Sequence, residues 1–302
     1  MTINADSLID RIYLKSQISK WRLLAILFAV VALVAVTRQF VTHKAGEGDF
    51  IARISITGVI GDDQKLYDLI SDVEENDKAK AAIVWLDTPG GSAVGGEEIY
   101  LRLRKLSAKK PVVSVMRSVS ASAGYMIALG TDYILARSGT ITGSIGVLIE
   151  TAEITELAEK LGIKPISIKS SPLKASPSPF EKSNPEAEKV IKEMIMDFYD
   201  RFVDMTAERR KLSKEQALLL ADGRVYSGRQ AVKNKLIDAI GGEDEAVAWM
   251  EKNRGISNKL KIQDVEIKEE NKLLEEIMGS AIGKFWEKTR VGLDGLAAIW
   301  HH

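Results

Sequence analysis

Cysteine is absent from the 302 residues, and histidine occurs only at His43, His301 and His302. The first absence excludes disulfides, thiolate metal sites and a cysteine nucleophile. The second excludes a Ser-His-Asp triad drawn from the body of the chain. An excess of charge of either sign is also missing: Lys plus Arg and Asp plus Glu are 42 each. The chain therefore carries no electrostatic footprint for nucleic acid. Internal repeats and low-complexity segments are lacking, and no residue pattern asks for a metal or an organic cofactor. A serine hydrolase built from this inventory has one common base left, a lysine that gives up its charge.

What is present supports a sizeable core, with 45% hydrophobic and 28% charged residues. The longest apolar run is Leu23 to Val36, flanked by Trp21 and Phe40 and preceded by Arg11, Lys15, Lys20 and Arg22. It is shorter than the ~20 residues a spanning helix ordinarily needs. It reaches the lower limit by counting Trp21, Thr37 and a snorkelling Arg22. Three readings fit: an anchor that stays, a cleaved signal peptide, or a buried core helix. The anchor is preferred, because Ala35-Val36-Thr37 matches a small-residue cleavage site poorly. The positive charge ahead of the run places the N-terminus in the cytoplasm and the rest of the chain outside the inner membrane.

Residues 1–45 thus read as cytoplasmic stub, anchor and linker, 46–256 as the main domain, and 257–302 as a C-terminal strand and amphipathic helix. From Ile51 onward, strand-like and helix-like stretches alternate. Strands are predicted at Ile51 to Thr57, Ala81 to Leu86, Val112 to Met116, Tyr133 to Ala136, Ile145 to Ile149 and Ile166 to Ile168. Helices are predicted at Gln64 to Glu75, Glu97 to Leu106, Ser122 to about Leu129 and Ile154 to Leu161. This alternation indicates an α/β fold with a mostly parallel sheet. A long helix follows over Pro185 to Arg210, with Glu186 and Glu188 in its first turn and Arg209 and Arg210 in its last. Another runs over Leu212 to Ala221 with Ser213 as N-cap.

Four local features carry chemistry together. Asp87-Thr88-Pro89-Gly90-Gly91-Ser92 joins a buried strand to a helix, and paired glycines let bare N–H groups face a ligand. Ser122, in Ser120-Ala121-Ser122-Ala123-Gly124-Tyr125, opens an apolar helix, where it is either a nucleophile or an ordinary N-cap. Ser118 and Ser120 are rivals on the same loop. Ser144 stands between glycines in Gly143-Ser144-Ile145-Gly146 and could hold an amine or simply make a turn. Lys174 lies in a segment stiffened by Pro172, Pro177 and Pro179, with Lys164, Lys169 and Lys182 as rivals.

These stretches, with Asp222-Gly223-Arg224-Val225-Tyr226-Ser227-Gly228 and Ala239-Ile240-Gly241-Gly242, resemble the signal peptide peptidase A family of Ser-Lys serine peptidases. They stand in that family's order and spacing over roughly residues 50–250. The resemblance implies a crotonase/Clp-protease-like β-α-β spiral with long C-terminal helices. It implies Ser122 as nucleophile, Lys174 as general base and Ser144 as the group that orients the amine. The backbone N–H groups of Gly91 and Ala123 would form the oxyanion hole, with Gly90 setting the turn. Ala123 departs from the glycine often found after the nucleophile; a backbone donor survives that change. A free lysine titrates near ~10.4, so a lysine base needs burial that disfavours its charge by roughly 4 kcal/mol.

The resemblance further implies peptide substrates such as signal-peptide remnants, a membrane-anchored endopeptidase of the bacterial inner membrane, and a homo-oligomeric ring without nucleic acid or cofactor. Two alternatives share the pattern: an inactive crotonase-fold membrane scaffold, and a related Ser-Lys peptidase with other membrane-protein targets. The tail from Glu270 to Trp300 is amphipathic and suits packing on the domain, on a neighbour or on a membrane surface.

Overall fold

The structure, a computed structural model, describes residues 48–266 together with Trp21, Arg22, Ile26 and Ala29. The expected anchor segment and the expected helical tail beyond 266 otherwise lie outside the described residues. No helix among the described residues is long and apolar enough to cross a membrane.

Three parallel strands form the centre: β1 (Phe50–Ile60), β2 (Ala79–Gly91) and β3 (Val112–Ala121). Ile51, Ile54, Ile83, Val84, Leu86, Val112 and Val113 are fully buried. A sheet covered on both faces explains why these strands read as near-continuous apolar runs. One face packs against α1 (Gln64–Glu75), α2 (Ala93–Lys109) and α3 (Ala123–Leu129), through Ile70, Ile99, Leu103, Leu106 and Ile127. The other meets α8 (Glu243–Arg254), whose Ala246 and Met250 join Ile51, Ile83, Val113 and Leu135 in a smaller cluster.

Beyond β3 the sheet divides. Val113 to Met116 pair with β4 (Tyr133–Ala136), whereas Val119 to Ala121 pair with β5 (Ile141–Gly143). One long strand thus feeds two neighbours, and the upper branch ends beside Ser122. β6 (Val225–Ser227) runs antiparallel to β5, and β7 (Ala239–Ile240) extends the β4 branch. β8 (Lys261–Asp264) pairs in parallel with β1 at the opposite edge, making an eight-stranded sheet. The strand expected after residue 256 therefore belongs to the same sheet as the strands before it.

The long helix is present as α5 (Pro185–Arg210), with Asn184 accepting the Glu186 N–H at 2.9 Å and Pro185 in the first turn. Its C-terminal half is anchored by buried Phe202, Val203 and Met205. Arg209 donates to the Leu129 and Thr131 carbonyls at 2.8 and 3.0 Å, and Arg210 pairs with Asp238 at 2.8 Å. Its N-terminal half leaves Val190, Met194, Met196 and Phe198 exposed. Ser213 caps α6 (Lys214–Leu220) through a reciprocal box with Gln216. Two short helices complete the described chain: α4 (Thr155–Lys160) and α7 (Gly228–Lys233).

Two predicted strands are absent. Ile145 to Ile149 is irregular, because Gly143 and Ser144 both take positive φ (+83° and +50°) and end the extended backbone before it. Ile166 and Ile168 alternate correctly but are 85% and 97% exposed. Among the described residues no strand lies alongside them, and alternation without a partner leaves the chain irregular. Most of the segment 147–184 stands away from the core in this way, with Ala158 its one buried apolar side chain among the described residues.

Candidate active site

The site is built where β2 and β3 end side by side. At the end of β2, Gly90 and Gly91 have φ of +113° and +155°, values that L side chains rarely adopt. Space enforces glycine as well. A Cβ on Gly90 would lie 2.7 Å from Ser122 Cβ and 3.2 Å from Ser122 Oγ, and one on Gly91 would overlap the Ile60 carbonyl. The glycine turn is therefore in contact with the candidate nucleophile. Thr88, fully buried, holds the turn from below: its Oγ1 accepts the Gly90 N–H at 3.0 Å. Asp87 ties the turn to β3 by accepting the Val119 N–H at 3.1 Å.

Ser122 leaves β3 with φ +54° and ψ −122°. This is a sparsely populated conformation for a residue with a Cβ, and it costs on the order of 1–3 kcal/mol. Its neighbours over-determine it. The Ser122 N–H is bound to the Gly143 carbonyl at 2.8 Å, its carbonyl accepts from Met126 at 3.0 Å, and buried Ala121 and Ala123 flank it. The side chain makes no capping bond to α3. The residue is half-buried against the glycine turn, and the ordinary N-cap reading does not describe it.

Ser144 is brought to the same place by register. Ala121 pairs with Gly143 in parallel, which sets Ser122 and Ser144 next to each other at the ends of β3 and β5. The Ser144 N–H donates to the Arg224 carbonyl at 2.9 Å. Arg224 is itself clamped to Asp222 across a turn in which Gly223 has φ +86°. The Asp-Gly-Arg stretch thus braces Ser144 from the far side. Sequence reasoning included these residues without seeing that role, and it did not single out Thr88. The signal available for Thr88 was its position two residues before the first glycine, where a hydroxyl can receive a turn N–H.

The rival serines and lysines differ in exposure and partners. Ser118 is exposed on the strand, and Ser120 is fully buried. Lys169 is engaged by Glu181 and Ser176, whereas Lys164 and Lys182 are exposed. Lys174 is exposed as well, on the projecting segment, with its backbone N–H in a turn to the Ser171 carbonyl at 3.1 Å. Among the described residues no hydrogen bond joins Lys174 to Ser122 or Ser144. The single chain therefore brings together Gly90, Gly91, Ser122, Ala123 and Ser144, and it does not place Lys174 with them.

A mostly parallel sheet with a small-residue serine turn against a glycine turn defines the class, an α/β fold of the crotonase/Clp-protease kind. Residues 104–257 match the family model described as Peptidase family S49. A protein of Synechocystis sp. named "Putative protease slr0021" is 38% identical over 219 residues, covering 72% of this chain and 79% of the relative. "Putative signal peptide peptidase SppA" of Enterococcus faecium is 34% identical over 222 residues, 69% of this chain and 64% of the relative. "Serine protease SPPA, chloroplastic" of Arabidopsis thaliana is 32% identical over 224 residues, 73% of this chain but 32% of the relative. The chain belongs to peptidase family S49, and its activity is that of a peptidase.

Proposed function

We propose that the chain is a serine endopeptidase in which Ser122 attacks the scissile carbonyl and Lys174 is the general base. The observation that carries this reading is the position of Ser122. Its hydroxyl is held at a strained strand-to-helix turn, uncapped, against Gly90 and beside Ser144. The neutral Lys174 amine takes the Ser122 proton, and the alkoxide adds to the peptide carbonyl. The oxyanion receives the N–H groups of Gly91 and Ala123, the latter lacking an intrahelical acceptor because it begins α3. The lysine then returns its proton to the leaving amine and activates the water that hydrolyses the acyl-enzyme. Ser144 orients the amine.

Since Lys174 is exposed and unpaired with Ser122 inside one chain, the dyad is completed in an assembly. The projecting segment of one copy supplies the lysine to the serine of the next. Exposed Leu148, Leu161, Ile163, Ile166 and Ile168 on that segment, and Met194 and Phe198 on α5, are the apolar surface such an assembly would cover. That burial also supplies the desolvation a lysine base requires. A membrane anchor before residue 46 and remnant signal peptides as substrates complete the reading; the name of the Enterococcus relative points the same way.

An active-site-directed fluorophosphonate probe tests the nucleophile. Labelling at Ser122 that is lost in Ser122→Ala is the expected result. Labelling elsewhere, or none in an enzyme that still cleaves peptides, overturns it.

A further inference from the structure

Within one chain, the loop that carries Lys174 is held by polar side chains rather than by a core. Over residues 165–182 the usual order is inverted: Lys169, Ser176, Ser178 and Glu181 are half-buried, whereas Ile166, Ile168, Leu173 and Phe180 are exposed. Behind the loop lies a cavity of about 300 Å³, with Pro172, Ser176, Pro177 and Glu181 in its wall. The polar contacts form one connected set. Lys169 Nζ is paired with Glu181 and donates to Ser176 Oγ at 3.4 Å, and Ser176 Oγ donates to the Pro172 carbonyl at 3.3 Å. Pro172 and Ser176 each stand two residues from Lys174, one on either side. The Lys169 side chain is only 16% exposed, and its bond holds the Glu181 carboxyl below the ordinary carboxylate range. The tip itself is tightly folded: the Lys174 N–H donates to the Ser171 carbonyl at 3.1 Å, and the Ser176 N–H donates to the Leu173 carbonyl at 3.3 Å. Between them Ala175 has a φ of +57°, which a residue with a Cβ keeps only where its surroundings impose it.

We propose that Lys169, clasped by Glu181, is a positioning residue that fixes the loop so that Lys174 is presented in one orientation to the serine it serves. The clasp grips the chain before the tip, after the tip and at the far end of the loop, so losing it frees all three points together. A base on a loosened loop spends less of its time in line with the hydroxyl. A displacement on the order of 1 Å costs the rate far more than it costs the fold. This inference rests on Lys174 being the general base.

The test is a double-mutant cycle in the full-length enzyme, read with a fluorogenic peptide and by thermal denaturation. Lys169→Met and Glu181→Gln are each expected to lower kcat about tenfold, with KM unchanged and Tm within about 2 °C of wild type. The double variant should lose no more than either single one, since both remove the same contact. Lys169→Arg keeps the pairing but cannot take up a proton, so it should retain most of the turnover. Wild-type kcat in both Lys169→Met and Glu181→Gln, or losses that multiply in the double variant, overturn the clasp and leave the base in place if Lys174→Ala is inert. Turnover persisting in Lys174→Ala overturns both. Lys169→Arg as inactive as Lys169→Met, with Glu181→Gln at wild-type kcat, also overturns both, because it makes Lys169 the base.

Discussion

At the scale of single residues, the site stores conformational strain in the proposed nucleophile. Ser122 holds a φ of +54° that glycine would tolerate freely. Ser122→Gly should therefore raise stability by about 1 kcal/mol while abolishing peptide hydrolysis, measured by denaturant melts and a fluorogenic assay. A loss of both would show that the serine side chain contributes packing rather than chemistry. Ser144 differs: its backbone is held through Arg224, and the proposed hold on the amine would fall to its hydroxyl alone. Ser144→Ala should lower kcat about 10–100-fold with stability within about 0.5 kcal/mol of wild type. These roles are partly visible in sequence, because small residues around a serine advertise a tight turn. That Ser120 is buried and Ser122 is not could only be decided by the bend of β3 after Met116, where its register against β2 shifts.

At the scale of elements, two contacts set the geometry. Gly91 allows β2 to run against Ile60 of β1, and an added Cβ would collide with backbone that has no room to give. Gly91→Ala should cost about 2–4 kcal/mol in a melt and take activity with it. The opposite edge is held by one arginine set between two carboxylates. Arg53 donates to both Asp264 oxygens, at 2.5 and 2.6 Å, and to Glu243 at 3.0 Å, tying β8 and α8 to β1. The hydrogen bonds from Arg53 hold the Asp264 carboxyl below the ordinary carboxylate range. A depressed carboxyl contributes its stability above the unfolded value, near ~3.9, and loses it as the pH falls through the folded value. Amide exchange in β8 should accelerate on acidification below that range, and Asp264→Asn should show the fast rate already at pH 7. Equal rates in both proteins at pH 7 would remove the pair from the account.

Elements long enough to show a period, such as α1 and α5, were legible to within a few residues. β5 was not: it has only Ile141 to Gly143, and it is a strand because β3 lies beside it. The apolar run that follows looked the better strand, but two positive-φ residues at Gly143 and Ser144 cut it off.

At the scale of the whole molecule, the serine and the lysine belong to different parts of the architecture. Ser122 is at the end of a central strand, and Lys174 is on an exposed segment. If neighbouring copies complete each site, two inactive variants should rescue one another. Mixing Ser122→Ala with Lys174→Ala subunits after dissociation and reassembly should restore a fraction of wild-type turnover, up to about one quarter for random pairing in an equimolar mixture. No recovery in a mixture shown by light scattering to have reassembled would place both members of the dyad within one chain. Dilution to the monomer should silence the wild-type enzyme on the same grounds.

The sequence by itself determined the chemistry available: no thiol, no central imidazole, and a serine, a second serine and a proline-braced lysine set in an α/β pattern. Those are statements about composition and order, which need no coordinates. Tertiary structure alone decided which groups meet. Strand register carries Ser144 to Ser122, and the near-contact of Gly90 with Ser122 arises because β2 and β3 end at the same level. Proximity between residues distant in sequence is set by pairing across the sheet, and pairing is a property of the folded chain rather than of any local run of residues.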